Sequence, residues 1–521
     1  MPTEIRGRIL WVDDEIELLK PHILYLEERG YEVDQVTNGR DAVSAVRETD
    51  FDLVLLDEMM PGMDGIATLK GIKDVRPSLD VIMITKSEEE WLMDEALAEK
   101  ITDYLTKPVN PSQVFLACKK TLEGEQIIEE KAASTYLKEF KEIEAALSTD
   151  LTVDDWWSLY LKLVQWQLEL DERKDLGLGS ILDEQMKDAN RKFARFIEER
   201  YAHWLHSSPE KRPTLSPDIL PHVIVPDLAS GGKIFLLVVD CLRLDQALTI
   251  MNQVGRYFKV KLDYHVSLLP SATPFSRNAI FSGRFLSEIQ KRESAMWRTM
   301  TSSDQSMNRH ESDLMAQTLS RSGLDNASTY YFKVNASREG ASFVRRLREY
   351  QDTSLIALVV NFVDLLTHHR SESEILLEMM PDEAGYRSTV RTWFENSWLF
   401  EVLKTLREMP HRIILTTDHG SIRVHKGVRI LGDSQTSTGV RYKYGRNLNC
   451  SGKHALVIKR PGDYFLPEMT TGTNYLVAKE DVYFVYPTEY HKYLKLYQGS
   501  FQHGGISMEE MLIPLFTLTP Q

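Results

Sequence analysis

The chain has 521 residues, 42% of them hydrophobic and 27% charged, with a formal net charge of -15 at pH 7. This length exceeds a single hydrophobic core and this composition excludes a disordered chain, so two to four domains are expected. No stretch approaches the roughly eighteen uninterrupted apolar residues of a membrane helix, and the N-terminus shows no secretory apolar region, which predicts a cytoplasmic protein.

From Arg8 to about Glu123, short apolar runs alternate with amphipathic segments. The runs are Ile9 to Val12, Val33 to Val36, Leu53 to Leu56, Val81 to Ile84 and Ile101 to Leu105. Strands separated by helical stretches read as a doubly wound parallel sheet, a first domain over 1–123. Two of these runs end in acids: Asp13 and Asp14 after the first, Asp57 after the third. In an open α/β sheet the carboxyl ends of strands line the binding crevice, so the three carboxylates should converge there. Such a cluster repels itself unless a hard cation neutralises it, and Mg²⁺ takes a few carboxylates together with water and phosphoryl oxygens. Thr85 after the fourth run and Lys107 after the fifth add a hydroxyl and an ammonium to a phosphoryl-transfer pocket.

Turn signals thin out over 124–207, where Trp156, Trp157, Tyr160, Leu163 and Trp166 recur at helical spacing and predict a central helical bundle or connector. Pro209, Pro213, Pro217 and Pro221 close it and open a larger α/β domain over 208–521. The apolar run Lys233 to Asp240 ends in a carboxylate, and further strands are expected at Leu355 to Phe362, Arg412 to Thr416 and Ala455 to Ile458. Taken alone, Asp240 reads as an N-cap for a helix beginning near Leu242. It has company. Asp364 and His368 sit at i, i+4 spacing after the next strand, Asp418 and His419 follow another, and His503 lies before Gly504 and Gly505. These Asp and His groups supply enough ligands for two borderline divalent metals, with zinc the best fit by ligand type. A metal pair can stabilise the attacking and leaving oxygens of a phosphate displacement. A hydroxyl within Pro270-Ser-Ala-Thr273-Pro274 could then serve as a nucleophile activated by direct coordination.

Cys118, Cys241 and Cys450 are scattered without C-x-x-C spacing, so neither a disulfide framework nor a thiolate metal site is expected. His265, His310, His425 and His454 lack an acid at ligand spacing and read as surface or substrate-side residues, and His369 loses to His368, whose helical spacing from Asp364 is better. The acidic chain as a whole repels nucleic acid. Between His419 and Gly462, however, Asp433 is the single acid against nine Lys or Arg, and Arg441-Tyr-Lys443-Tyr-Gly-Arg446 interleaves cations with aromatics. Such a stretch suits a single-stranded phosphodiester, with Arg441, Lys443, Arg446 and Lys453 as candidate substrate contacts.

The first constellation resembles the receiver domain of CheY-like response regulators over about the first fifth of the chain. The resemblance implies that Asp57 accepts phosphate from a sensor histidine kinase and that Asp13, Asp14 and Asp57 hold Mg²⁺. It further implies that Thr85 and Lys107 contact the phosphoryl group, with Tyr104 as the switch aromatic. From about Lys233 onward the chain looks like the alkaline phosphatase superfamily, specifically its PglZ branch. That likeness implies one zinc on Asp240, Thr273, Asp418 and His419 and a second on Asp364, His368 and His503, with Thr273 the nucleophile and Ser271 the fallback. The order receiver, helical connector, PglZ-like domain is similar to PorX-type response regulators of type IX secretion. It implies an alternative sigma factor as a further partner, a homodimer favoured by phosphorylation, and a phosphodiesterase acting on short oligonucleotides or cyclic nucleotides. Two other readings keep the same fold: a phosphomonoesterase, and a metal-containing binding module that works through protein partners.

Overall fold

Continuous apolar runs bounded by turn residues become buried parallel strands in each of two compact units, Met1–Glu139 and Phe140–Gln521. The structure, a computed structural model, describes residues 5–86, 101–173, 177–302, 307–432, 437, 439–486 and 490–521. In the first unit the five strands stand in the order Tyr31–Val36, Gly7–Val12, Leu53–Asp57, Asp80–Thr85, Asp103–Thr106, all parallel. Successive side chains of a strand point to opposite faces. Ile9, Trp11, Leu53, Leu55, Ile82 and Ile84 therefore pack with Ile23, Leu26 and Val114 on one side. Leu10, Val12, Val54, Leu56, Val81 and Met83 pack with Ala42, Val46, Leu69 and Ile72 on the other. This two-sided burial is why the runs lack polar alternation.

The fifth strand starts two residues later than its apolar run; Thr102 before it bonds the neighbouring strand through both its amide, to the Val81 carbonyl, and its hydroxyl, to Asp80 and the Val81 amide. A single helix, Pro111–Leu147, runs through the expected boundary at residue 123. Its one glycine, Gly124, costs only about 1 kcal/mol in a helix interior and does not break it.

In the second unit the helices Val153–Glu172 and Gly179–Leu205 carry the predicted Trp and Leu periodicity. Thr152 and Asp155 form a capping box at the start of the first, which satisfies two otherwise orphaned backbone donors. These helices pack on the α/β domain: Trp157 stacks on Tyr264 at 4.9 Å, and the Tyr201 hydroxyl accepts from the Leu269 amide at 2.8 Å.

The large sheet has the order Phe258–Val266, Leu512–Pro520, His411–Thr416, Lys233–Val239, Leu355–Val360, Thr329–Val334. Its last four strands are parallel, and the other two pair antiparallel at one edge. The three central strands lie level, Thr416 beside Val238 and Val239 beside Val360. Residues just beyond these ends are thus brought to one rim. The strand expected to reach Phe362 stops at Val360, since Phe362 already opens the helix Phe362–Arg370. The basic segment forms no open loop: Tyr442–Gly445 is a strand paired with Asn474–Ala478, which also pairs with Ala455–Ile458.

Candidate metal and phosphoryl-transfer sites

At the rim of the first sheet, Asp13, Asp14 and Asp57 present oxygens within 4.8 Å of one another, as the converging strand ends predict. Lys107 bridges Asp57 at 2.7 Å and Asp13 at 3.0 Å. Burial, reinforced by repulsion from Asp13 and Asp14, raises the Asp57 carboxyl above its ordinary value against the opposing pull of Lys107. Burial pulls Lys107 down, but its bonds to Asp57 and Asp13 outweigh that and keep the ammonium charged. The Thr85 hydroxyl donates to Glu58, a neighbour of Asp57 that the sequence reading did not single out. Tyr104 is 44% exposed on the last strand, accessible for a switch role. A cluster of three acids with one ammonium keeps a negative excess, the condition under which a hard divalent cation binds.

At the rim of the large sheet the predicted ligands fall into two groups. In the first, Thr273 Oγ1 lies 3.0 Å from His419 Nε2 and 3.4 Å from Asp240 Oδ1. His419 Nε2 stands 3.6 Å from Asp240 Oδ1 and 3.8 Å from Asp418 Oδ2. In the second, Asp364 Oδ1, His368 Nε2 and His503 Nε2 form a triangle with sides of 3.4, 3.5 and 3.4 Å. Donors about 2.0–2.1 Å from a tetrahedral zinc are about 3.3 Å from each other, so both groups have the spacing such an ion requires. The Asp418 Oδ2 atom is buried without a hydrogen-bond donor among the described residues, a costly state that an ion relieves. The donor set therefore fits two zinc ions: four protein ligands at one position, three with an open face at the other. His419 and His503 stack at 4.3 Å, so the two groups adjoin.

Local chain geometry explains how each ligand arrives. Asp240 caps nothing, because the helix after it begins at Leu244 with Arg243 as its N-cap. Cys241 instead takes a left-handed φ of 65°, backbone strain of the kind held at functional turns. Asp364 and His368 share a helical face, as their spacing predicts. His419 Nδ1 faces the Gly420 carbonyl at 3.1 Å. A carbonyl can only accept, so Nδ1 carries the proton and Nε2 keeps the lone pair a metal needs. His503 enters from a turn whose next residue, Gly504, has φ 112°, open to glycine alone without strain. Burial and the neighbouring His419 hold His503 well below its usual value, in the neutral ligand form. Burial raises Asp364, but the His368 bond outweighs this and holds the carboxyl well below its ordinary value.

Ser271 is fully buried and donates to the Gly505 carbonyl at 2.7 Å, which removes it as a fallback nucleophile and leaves Thr273. His265 is a core residue, lowered to about 4 by burial, and His310 and His369 pair with Asp313 and Glu372 instead of the rim. Two proposed substrate contacts are corrected. Arg441 is fully buried in a bidentate pair with Glu510 at 2.7 Å, and Glu510 also accepts from the Gly505 amide, so the pair braces the His503 turn. Lys443 is buried, donates to the Ser437 carbonyl at 2.9 Å, and is lowered to about 8 by burial. Strand alternation, invisible in a count of basic residues, turned both inward. Arg446 and Lys453 are exposed. Asp433, the lone acid of that segment, lies outside the described residues.

Sequence reasoning missed Arg277, whose guanidinium reaches Asp240, Glu311 and Asn361 behind the first group. Its i, i+4 spacing from Thr273 on the helix Thr273–Ser282 was the available signal. Also unforeseen is a cavity of about 450 Å³ beside the second group, lined in part by Phe275, Tyr442, Tyr444, Tyr497, His368 and His503.

Three acids with one lysine at the rim of a doubly wound sheet, and two Asp/His groups at the rim of a larger α/β sheet, point to a receiver with an alkaline phosphatase-like output domain. Family models agree along the chain. A response regulator receiver domain matches residues 9–119, a PorX response regulator linker domain matches 126–205, and the BREX system PglZ alkaline phosphatase-like domain matches 219–518. The chain belongs to the PglZ alkaline phosphatase-like family, as a response regulator of the PorX type.

Among curated proteins it is similar to the transcriptional regulatory protein ResD of Bacillus subtilis, 36% identical over 22% of this chain and 48% of that one. The transcriptional regulatory protein ZraR of Salmonella typhimurium is 40% identical over 23% of this chain and 27% of that one. The chain thus spans half or less of the length of these relatives. Among solved structures, the receiver domain protein of Methanospirillum hungatei is 29% identical with a TM-score of 0.22, covering 23% of this chain and 95% of that one. Among the described residues, no helix is long and apolar enough to cross a membrane. The receiver implies a sensor kinase as its phosphate source.

Proposed function

We propose that this response regulator, phosphorylated on Asp57, carries a two-zinc phosphodiesterase as its output in the cytoplasm and regulates type IX secretion. The observation that carries the enzymatic reading is the spacing of six Asp and His donors in two adjoining groups, the first of them set against the Thr273 hydroxyl. Bound zinc would supply positive charge that lowers the hydroxyl pKa and offsets charge building on the phosphoryl oxygens. Thr273 is the first residue of the ten-residue helix Thr273–Ser282, so the positive end of that helix also faces the reacting phosphorus. The Thr273 oxygen forms a bond to phosphorus as the bond to the leaving alcohol breaks; water then releases the phosphoryl group from Thr273. Asp240 and His419 orient the hydroxyl from 3.4 and 3.0 Å.

The aromatic cavity favours a diester over a monoester. Its described lining includes Glu372 but no Lys or Arg, a poor match for a phosphomonoester dianion. A diester carries one charge and a second substituent, and a substituent with a planar ring suits tyrosine and phenylalanine walls. Short oligonucleotides and cyclic nucleotides have such substituents, with exposed Arg446 and Lys453 left to attract the backbone. An alternative sigma factor and a phosphorylation-favoured homodimer belong to the same proposal.

The test is release of nitrophenol from bis-nitrophenyl phosphate. Thr273→Val should lower kcat by about 10³-fold or more, and a chelator should abolish the rate until zinc is restored. A rate indifferent to both treatments would remove the chemistry. A wild-type protein that binds zinc but turns over neither diester nor monoester would instead support a metal-containing binding module.

A further inference from the structure

The polar cluster behind Thr273 is larger than a metal site needs. Arg277 is 2% exposed, and its Nη1 bonds Asp240 Oδ2 at 2.5 Å and Asn361 Oδ1 at 3.2 Å. Its Nε meets Glu311 Oε1 at 2.6 Å, and Nη1 stands 3.9 Å from Asp418 Oδ2. Glu311 is fixed in turn by Tyr331, by Lys333 at 3.3 Å and by Asn308 at 2.8 Å, while Asn308 also donates to the Thr273 carbonyl at 3.2 Å. Elements distant in the sequence thus converge on one guanidinium. A buried arginine beside two aspartates carries charge that opposes a divalent cation, so its presence calls for a reason other than attraction of the ion. Its geometry supplies one. By holding Asp240 through Oδ2, Arg277 leaves Oδ1 turned toward Thr273 and His419, and its planar fork ties that orientation to the immobile Glu311.

We propose that Arg277 is a positioning residue for the Thr273 centre: anchored by Glu311, it orients Asp240 and partly neutralises Asp240 and Asp418 so that these acids stay together around the nucleophile. This rests on the two-zinc reading, with Asp240, Thr273, Asp418 and His419 holding one ion. It does not touch the three-ligand group of Asp364, His368 and His503. Loss of Arg277 should therefore damage one metal position and spare the other.

The experiment measures zinc stoichiometry on the full chain at buffered free zinc, alongside hydrolysis of bis-nitrophenyl phosphate. Wild type should bind two equivalents. Arg277→Met, which keeps the length and apolar stem, should bind one equivalent with unchanged affinity and the other about 10- to 100-fold more weakly. Its kcat should fall by a similar factor while KM changes less than threefold. Arg277→Lys returns the charge without the fork and should recover only part of both losses. Glu311→Gln should weaken the same equivalent to a smaller extent and serves as the second route to the answer should Arg277→Met not fold. Two wild-type equivalents in Arg277→Met, or in Glu311→Gln if that is the variant that folds, overturn the proposal and leave the zinc reading intact. A full rescue by lysine overturns the orienting role. A wild-type chain that binds no zinc overturns both readings.

Discussion

The two rims of this chain solve the same electrostatic problem differently. Each gathers carboxylates at the carboxyl ends of parallel strands, but the receiver adds one ammonium, Lys107, to three acids and offers only oxygen ligands. The output rim adds His368, His419 and His503, imidazoles of the kind that ligate when neutral, and places Arg277 behind its acids. The first donor set suits a hard cation, the second a borderline metal. The acceptor itself differs accordingly. In the receiver the proposed acceptor is a carboxylate raised by burial, and in the output domain it is a neutral hydroxyl flanked by candidate ligands.

The sharpest way to break the comparison is Asp57→Asn. Phosphoryl transfer from a small-molecule phosphodonor should fall below detection while zinc content stays at the wild-type value; a label that persists would place the acceptor elsewhere. Next comes buried charge that the protein satisfies without a metal. Arg441→Ala leaves Glu510 uncompensated and should cost about 3–5 kcal/mol in denaturant unfolding. The exposed Arg446→Ala should change stability by less than about 0.5 kcal/mol and act on substrate KM and its salt dependence instead. If Arg441→Ala raised KM with no loss of stability, the bracing role of that pair would be wrong.

A further effect is a pH dependence. Burial, opposed by Arg243 and by bonds from Asn190 at 3.1 and 3.0 Å, raises Glu509 to about 6. A folded pKa above the unfolded one favours the fold below the unfolded value and loses that contribution as pH rises through the folded value. The stability difference between wild type and Glu509→Gln should therefore move by roughly 2 kcal/mol between pH 4 and pH 7, with wild type losing ground. A difference that stays flat across that interval would show that Glu509 is ionised throughout.

Much of this was legible beforehand because it depends on local pattern. Buried parallel strands are apolar on both faces, acids at their ends stand out, and an i, i+4 pair such as Asp364 and His368 is fixed by helical pitch. The basic segment misled for the opposite reason. Arg441 and Lys443 were weighed as charges along a line, and the pairing of Tyr442–Gly445 with Asn474–Ala478 decided which side chains turn inward. Arg277 stayed hidden because its hydrogen-bond partners come from three separate stretches of chain.

What the amino-acid order determined alone was the identity of the candidate ligands and the elements that carry them, since composition, period and turn chemistry act over a few residues. Which donors face one another at 3.0 to 3.8 Å, which hydroxyl is available and which arginine stands behind it were decided by sheet order and register. Those are contacts between residues tens to hundreds apart, and their geometry exists only once the strands have taken their places.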